Sequence, residues 1–187
     1  IEAARYANPL TLLPGNIPIA EHITRLIDAR QPFMAAYCDL NHFKPYNDQY
    51  GYFRGDRMIR LAASTLTRHA EPRWDFVGHV GGDDFVVLFQ SDDWERRCSD
   101  MVTEFNAASR ALFDEVDLAR GVLEGEDRAG RYATFPLTTL TIGVAPVAPG
   151  SFATAEEVAS QAAAAKRQAK RLNIGLHVLG LAGGEVA

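Results

Sequence analysis

Apolar residues change their spacing several times along the chain, and each change marks an element. The segment Asn8-Pro-Leu-Thr-Leu-Leu-Pro14-Gly15-Asn16 carries loop signals at both ends. Beyond it Ile19, Ile23, Leu26 and Ile27 recur near helical spacing, which predicts a helix over 17–29 before Pro32 breaks the chain. The short apolar run 33–38 predicts a buried strand with Asp39 at its C-terminal end. Met58, Leu61, Ala62, Thr65 and Leu66 share one face of a helix predicted over 57–69. Two further apolar runs, 75–80 and 84–90, flank Gly81-Gly82 and predict a tight β-hairpin, because glycine accepts the positive φ angles of such turns. Asp83 and Asp84 are expected just after that turn.

Asp92 or Asp93 is a predicted N-cap for a helix reaching about Val116, with Trp94, Cys98, Met101, Val102 and Phe105 turned inward. Residues 119–132 are polar and Gly-rich, and predict a mobile surface loop. The run 137–145 alternates like a strand rich in β-branched residues. Thr154 is predicted to cap a last helix over 155–172, and 175–179 a short closing strand. The order α–β–α–β–β–α–β–α–β predicts an α/β (α+β) domain with a central mixed sheet and surrounding helices, the hairpin supplying an antiparallel pair.

This arrangement gives the acidic residues a chemical meaning. If the hairpin lies beside the strand that ends on Asp39, the carboxylates of Asp39, Asp83 and Asp84 converge. Three uncompensated acids repel, so such a cluster needs a cation. Mg²⁺ (or Mn²⁺) suits it, because it takes oxygen ligands and shares its shell with substrate phosphates. The bland alternative is that these are solvated turn acids which never meet. Lys166, Arg167, Lys170 and Arg171 crowd one segment and suit a polyphosphate better than a duplex.

Composition narrows the class. With 187 residues, 47% hydrophobic and 23% charged, the chain fits one globular domain with a real core. A net charge of −5 gives no footprint for nonspecific nucleic-acid binding. Cys38 and Cys98 offer neither a disulfide framework nor metal-ligand spacing. No stretch approaches the ~18 consecutive apolar residues of a membrane span, and no signal peptide opens the chain, so a reducing, cytoplasmic setting without membrane contact is expected for this segment. The chain opens on Ile1 without a methionine, which suggests a piece of a longer protein: 1–7 would end a linker helix, 8–180 would be the domain and 181–187 a tail. A sensor or membrane anchor would then lie outside it.

Two segments carry a family resemblance. One is Cys38-Asp39-Leu-Asn-His-Phe-Lys44-Pro-Tyr-Asn47-Asp48, followed by Gly51-Tyr-Phe-Arg-Gly55-Asp56; the other is Gly81-Gly82-Asp83-Asp84-Phe85. Together they resemble the signature segments of the GGDEF domain family, the diguanylate cyclases, in a variant GGDDF form, and the likeness runs from Asn8-Pro-Leu-Thr to the last helix. The resemblance implies a largely antiparallel sheet of the adenylyl-cyclase, palm-like kind. It also implies condensation of two GTP into c-di-GMP with release of pyrophosphate, across a homodimer. A degenerate member would instead bind GTP and regulate a phosphodiesterase, sensor or other domain of the same chain.

The family's roles map by position. Asp39, the Leu40 carbonyl and Asp83 correspond to metal ligands, and Asp83 or Asp84 to the group that assists deprotonation of the attacking 3′-hydroxyl. Asn47 and Asp56 correspond to the guanine-recognising pair; a carboxylate accepts from guanine N1–H and the 2-amino group, donors that adenine lacks. Taken alone, both residues read better as helix caps; the matched Gly51 and Gly55 spacing tips the reading to guanine. Lys44, with the backbone amides around His42 and Phe43, corresponds to the phosphate-contacting turn, and Lys170 to a lysine that reaches phosphate or, on a bland reading, to a solvated helix charge.

Several positions depart from the pattern. Asp84 replaces a glutamate close to the reacting hydroxyl and second metal, Asn41 a frequent aspartate, Tyr52 a histidine beside the substrate, and His79 an arginine. The last helix carries Ala165-Lys-Arg-Gln-Ala-Lys170 where an A-L-Y-x-A-K pattern is usual. Arg73 and Asp75 would be the remains of an inhibitory product site, with the arginine one residue late.

Overall fold

A computed structural model describes residues 5–180. Its centre is a five-stranded sheet built from β1 (Phe33–Asn41), β2 (Phe76–Gly81), β3 (Asp84–Phe89), β6 (Thr139–Val147) and β7 (Leu176–Val178), in the order β2-β3-β1-β6-β7. The first three pairings are antiparallel and only β6–β7 is parallel, so the sheet is mixed and largely antiparallel, as expected. Two-residue alternation divides the core between its faces. Cys38, Leu40, Phe85, Val87, Phe89, Leu140 and Ile142 face α2 (Phe43–Tyr50), α3 (Tyr52–His69) and α4 (Trp94–Ala108). Ala35, Val86, Leu88, Ala145 and Val147 face α1 (Asn16–Asp28) and α6 (Ala155–Leu172).

Several boundaries differ from the sequence-based expectation. β1 runs two residues past Asp39, because β6 keeps pairing with it: Asp39 sits opposite Thr141 and Asn41 opposite Thr139. The stretch between β1 and the next predicted helix is itself helical, α2 being followed at once by α3 from Tyr52. Asn47 and Asp56 thus lie within helices rather than at caps. The junction is Gly51, whose φ of 81° a side chain would resist. The helix expected to reach Val116 stops at Ala108; a 3₁₀ turn (Ser109–Leu112) and α5 (Glu115–Arg120) follow. The expected loop over 119–132 is mostly a separate two-stranded ribbon, β4 (Val122–Glu126) with β5 (Tyr132–Pro136). Of the expected linker helix, residues 1–4 lie outside the described residues, Arg5 is helical and Ala7 bridges to Pro14; the expected 181–187 tail lies outside them too.

The helix α6 behaves as expected at its start, where the Thr154 side chain accepts from the Glu157 N–H at 3.2 Å. Its buried face is small: Ala162, Ala165 and Ala169. Opposite them on β6 lies Gly143, where a Cβ would sit 2.0 Å from the Lys166 nitrogen and 2.3 Å from the Ala165 carbonyl carbon. Helix and sheet backbones therefore touch, and the lysines of α6 are lowered onto β1, the neighbouring strand. No helix among the described residues is long and apolar enough to cross a membrane.

Because both atoms met at Gly143 are backbone, relief requires moving the helix. We expect Gly143→Ala to lower stability by about 1–3 kcal/mol, the usual cost of overpacking. Urea denaturation measures it, and an unchanged midpoint would mean that α6 can lift without loss.

Candidate functional site

Alternation that buries the core also sets the site. Asp39 lies on the α6 face of β1 with Tyr37 and Ala35. Asp84 lies on the α6 face of β3 with Val86 and Leu88. The β1–β3 register ends at Cys38↔Phe85, so Asp39 and Asp84 meet one step beyond it. Asp83 is not after the turn, as expected, but within it: Gly82 and Asp83 form the two-residue loop that joins Gly81 to Asp84, and Gly82 takes a φ of 53°. The result brings together one oxygen of each of Asp39, Asp83 and Asp84, all within 4.8 Å of one another.

Crowding redistributes protons. Burial works against the Asp39 carboxylate, but hydrogen bonds from Asp83 and Lys170 and the charges of Lys170 and Lys166 hold it below the usual carboxylate range. Asp83 moves the other way, pushed up to about 7 by burial and then by its hydrogen bond to Asp39 and the negative charges of Asp39 and Asp84. Negative charge is thus favoured on Asp39 and opposed on Asp83. Asp84 is raised too, by burial and by Asp39. Tyr37 is pushed up to about 12, by burial and then by Asp84, to which it hydrogen-bonds.

Two lysines of α6 answer this charge. Lys170 Nζ lies 2.6 Å from Asp39 Oδ2; Lys166 Nζ lies 3.3 Å from the same oxygen and 3.8 Å from Asp84 Oδ1. Sequence reasoning grouped Lys166 with general phosphate-facing charge and passed over Tyr37. The available signal was spacing: 166 and 170 are one helical turn apart, and 37 and 39 share a strand face.

Asp39, Asp83, Asp84, Lys166 and Lys170 line one cleft of about 510 Å³. Leu40, His42, Phe43 and Lys44 line it as well, and so do Glu126, Asp127 and Arg128 at the tip of the β4–β5 ribbon, a wall that the sequence did not reveal. His42 takes left-handed backbone (φ 59°) ahead of α2, and burial followed by the Lys170 charge lowers its pKa. Lys44 points to Asp48 at 2.6 Å, but both side chains are mostly exposed. Such a pair is worth only about 0.3–0.5 kcal/mol, so it would yield readily to a phosphate.

The remaining predicted site residues lie apart from the carboxylates and do not line this cleft. The Asn47 side chain packs against Gly55, where a Cβ would fall 1.8 Å from its Oδ1. That oxygen is buried with no hydrogen-bond partner among the described residues. Asp56 is half-buried on α3 next to Gly55, and Tyr52 is exposed at the start of that helix. Arg73 is exposed. Asp75 is occupied: its carboxylate accepts from Glu71 N (2.8 Å), Gln90 N (3.0 Å), Ser91 N (3.1 Å) and Ser91 Oγ (2.9 Å), closing the open end of the hairpin.

His79 supports the other end. Its Nε2 donates to the Gly82 carbonyl at 2.9 Å, so in the neutral ring Nδ1 accepts from the Thr11 hydroxyl at 2.8 Å. Burial first of all lowers its pKa, which favours that neutral form. The loop near Thr11 is thereby tied to the turn that carries Asp83.

The donor set fits a hard divalent cation: carboxylate oxygens close together, a cleft wide enough for phosphates, and lysines holding the surplus charge. Comparison with known proteins agrees in kind. The family model for the diguanylate cyclase GGDEF domain matches residues 6–121. Over 156 residues the chain is 28% identical to the diguanylate cyclase DgcP of Pseudomonas aeruginosa, covering 66% of this chain and 23% of that protein. It is 31% identical over 90 residues to the diguanylate cyclase DgcP of Escherichia coli, covering 46% and 26%. The chain thus spans about a quarter of the length of these two relatives. Among solved structures, the GGDEF domain of TpbB (YfiN) from Pseudomonas aeruginosa superposes with a TM-score of 0.69 at 23% identity, over 94% of this chain and 95% of that one. The GGDEF domain of DgcB from Caulobacter crescentus, solved with c-di-GMP, gives 0.65 at 21% identity over 92% and 95%. At these identities the two structures bear on the fold alone.

The bonding of Asp75 generates a separable expectation. Asp75→Ala would strand four buried or half-buried donors and cost about 1–3 kcal/mol of stability. Mn²⁺ binding at the distant carboxylates should stay within twofold of the parent. Thermal unfolding and titration with Mn²⁺ would check the two halves; a stable variant would show that water replaces the carboxylate.

Proposed function

Since this chain belongs to the GGDEF domain family, we propose that residues 8–180 act as a diguanylate cyclase domain. Two GTP, one on each of two facing copies, would be joined into c-di-GMP. Each 3′-hydroxyl oxygen would form a bond to the α-phosphorus of the opposite GTP while the bond to the β-phosphate oxygen breaks, so two pyrophosphates leave. The observation that carries this reading is the convergence of Asp39, Asp83 and Asp84 beneath Lys166 and Lys170.

Asp39, Asp83 and the Leu40 carbonyl would hold the divalent cation. When bound, Mg²⁺ or Mn²⁺ supplies Lewis-acid polarisation of the α-phosphate and favours ionisation of the attacking hydroxyl. Asp84, or Asp83, would receive the proton of the 3′-hydroxyl. Lys44 and the amides around His42 and Phe43 would bind the polyphosphate, and Lys170 would leave Asp39 for a phosphate oxygen. Asn47 and Asp56 would accept from guanine N1–H and the 2-amino group, which is supported by the unpaired, buried Oδ1 of Asn47. Tyr52 would lie at the rim of the base site.

One observation favours a second reading, a GTP-binding domain that regulates a phosphodiesterase or another domain of the same chain. Asp84 is shorter than glutamate and is held back by the Tyr37 hydroxyl and Lys166. A displacement of ~1 Å at a catalytic group costs on the order of 10²-fold in rate.

Incubation with GTP and Mg²⁺, at protein concentrations that populate a dimer, separates the two. We expect c-di-GMP to form, and Asp84→Glu to raise the saturated rate about tenfold or more with little change in GTP affinity. GTP should bind more tightly than ATP, and Asp56→Ala should erase the difference. Binding without product in both parent and Asp84→Glu would leave the regulatory reading; equal affinity for GTP and ATP would remove the guanine assignment.

A further inference from the structure

Lys166 differs from every other cation near the cleft. Its side chain is 16% exposed, against 35% for Lys170 and 74% for Lys44. It is held from three directions: Asp39 at 3.3 Å, Asp84 at 3.8 Å, and the Tyr37 ring, whose centroid lies 4.5 Å from Nζ. An ammonium over an aromatic face is attracted by the ring as well as by the acids. Its backbone is fixed too, because the Lys166 nitrogen lies against Gly143, where helix and sheet backbones touch. Lys170, more exposed and bonded to Asp39 alone, can turn toward a phosphate; Lys166 would have to abandon three partners to do so.

We propose that Lys166 is a resident cation of the carboxylate site. It answers the charge of Asp39 and Asp84 from within the chain, and so leaves the site a single divalent ion. The geometry is consistent with this: Lys166 answers Asp39 and Asp84 together, whereas Lys170 answers Asp39 alone and only until a divalent ion and nucleotide arrive. Leucine, usual at this position in the resembled pattern, would bring no charge. The proposal rests on the divalent site described above but not on guanine recognition or on turnover.

Mn²⁺ titration of the nucleotide-free domain, followed by electron paramagnetic resonance of the free ion, tests it. Lys166→Met should bind Mn²⁺ more tightly than the parent, on the order of tenfold or more, since a unit charge a few ångströms away is removed from a partly desolvated site. Lys166→Gln should do the same, which guards against a packing fault peculiar to methionine. Adding Asp39→Asn to Lys166→Met should abolish the gain. With an equimolar GTP analogue methylene-bridged between the α- and β-phosphorus, the parent should saturate at one Mn²⁺ per complex and Lys166→Met at two. Lys170→Met should weaken binding of the analogue, whereas Lys166→Met should not. Unchanged Mn²⁺ affinity in both Lys166 variants overturns the proposal, and so does a gain that survives Asp39→Asn. Loss of analogue affinity in Lys166→Met equal to that in Lys170→Met would make Lys166 a phosphate ligand instead. Failure of the analogue to bind the parent would count against the GTP assignment, while the nucleotide-free comparison would still decide the role of Lys166.

Discussion

Like charges at short range govern this molecule. Asp39, Asp83 and Asp84 each reach within 4.8 Å of the others, and a half-buried cluster of that kind is tolerable only if its surroundings answer it. The answers are layered. The Tyr37 hydroxyl on β1 turns to Asp84, and two ammonium groups descend from α6. None of these groups belongs to the hairpin that carries two of the acids. The hairpin is therefore meaningful only with β1 beside it and α6 above it, and much of the topology serves to bring those three segments together.

Small side chains make that meeting geometrically feasible. Glycine at 143 and alanines at 162, 165 and 169 let a helix and a strand touch backbone to backbone, so that lysine side chains of ordinary reach can span to the next strand. Larger residues would bury more apolar surface, and by themselves would stabilise the interface more. They would also lift the ammonium groups out of range of Asp39. Packing at this interface has been settled in favour of electrostatics.

Much of this was legible in the sequence. Short apolar runs and the alternation of 137–145 placed the strands, the Gly81-Gly82 pair placed the hairpin, and the paired acidic segments indicated the convergence of Asp39 with Asp83 and Asp84. What escaped was tertiary. Apolar spacing alone does not show that α2 forms, because its residues 43–50 contain Pro45 and few periodic apolar positions, and the helix is held by burial of Phe43 and Tyr46. The β4–β5 ribbon escaped because Gly121, Gly125 and Gly130 read as loop, although a glycine in a two-stranded ribbon costs little when the Phe135 ring covers it, 3.5 Å from where its Cβ would be at Gly125. Lys166 and Tyr37 escaped because neither belongs to a motif; each matters only through the neighbour that the fold supplies. The close packing of Asn47 on Gly55 likewise could not be read from spacing alone, since it depends on how two successive helices meet.

The β4–β5 ribbon has a further meaning for how such a domain can diversify. It forms its own two-stranded sheet, separate from the five-stranded one, and it is braced from within: Asp127 accepts from Ala129 N, Arg131 N and Arg131 Nε. Yet its tip walls the cleft that holds the acids. A segment with its own internal scaffold can be lengthened, shortened or recharged while the register of the central strands stays as it is. The cleft therefore has one wall built into the central sheet and one that is modular, whose lining at Glu126 and Arg128 can change while Asp127 keeps the ribbon braced.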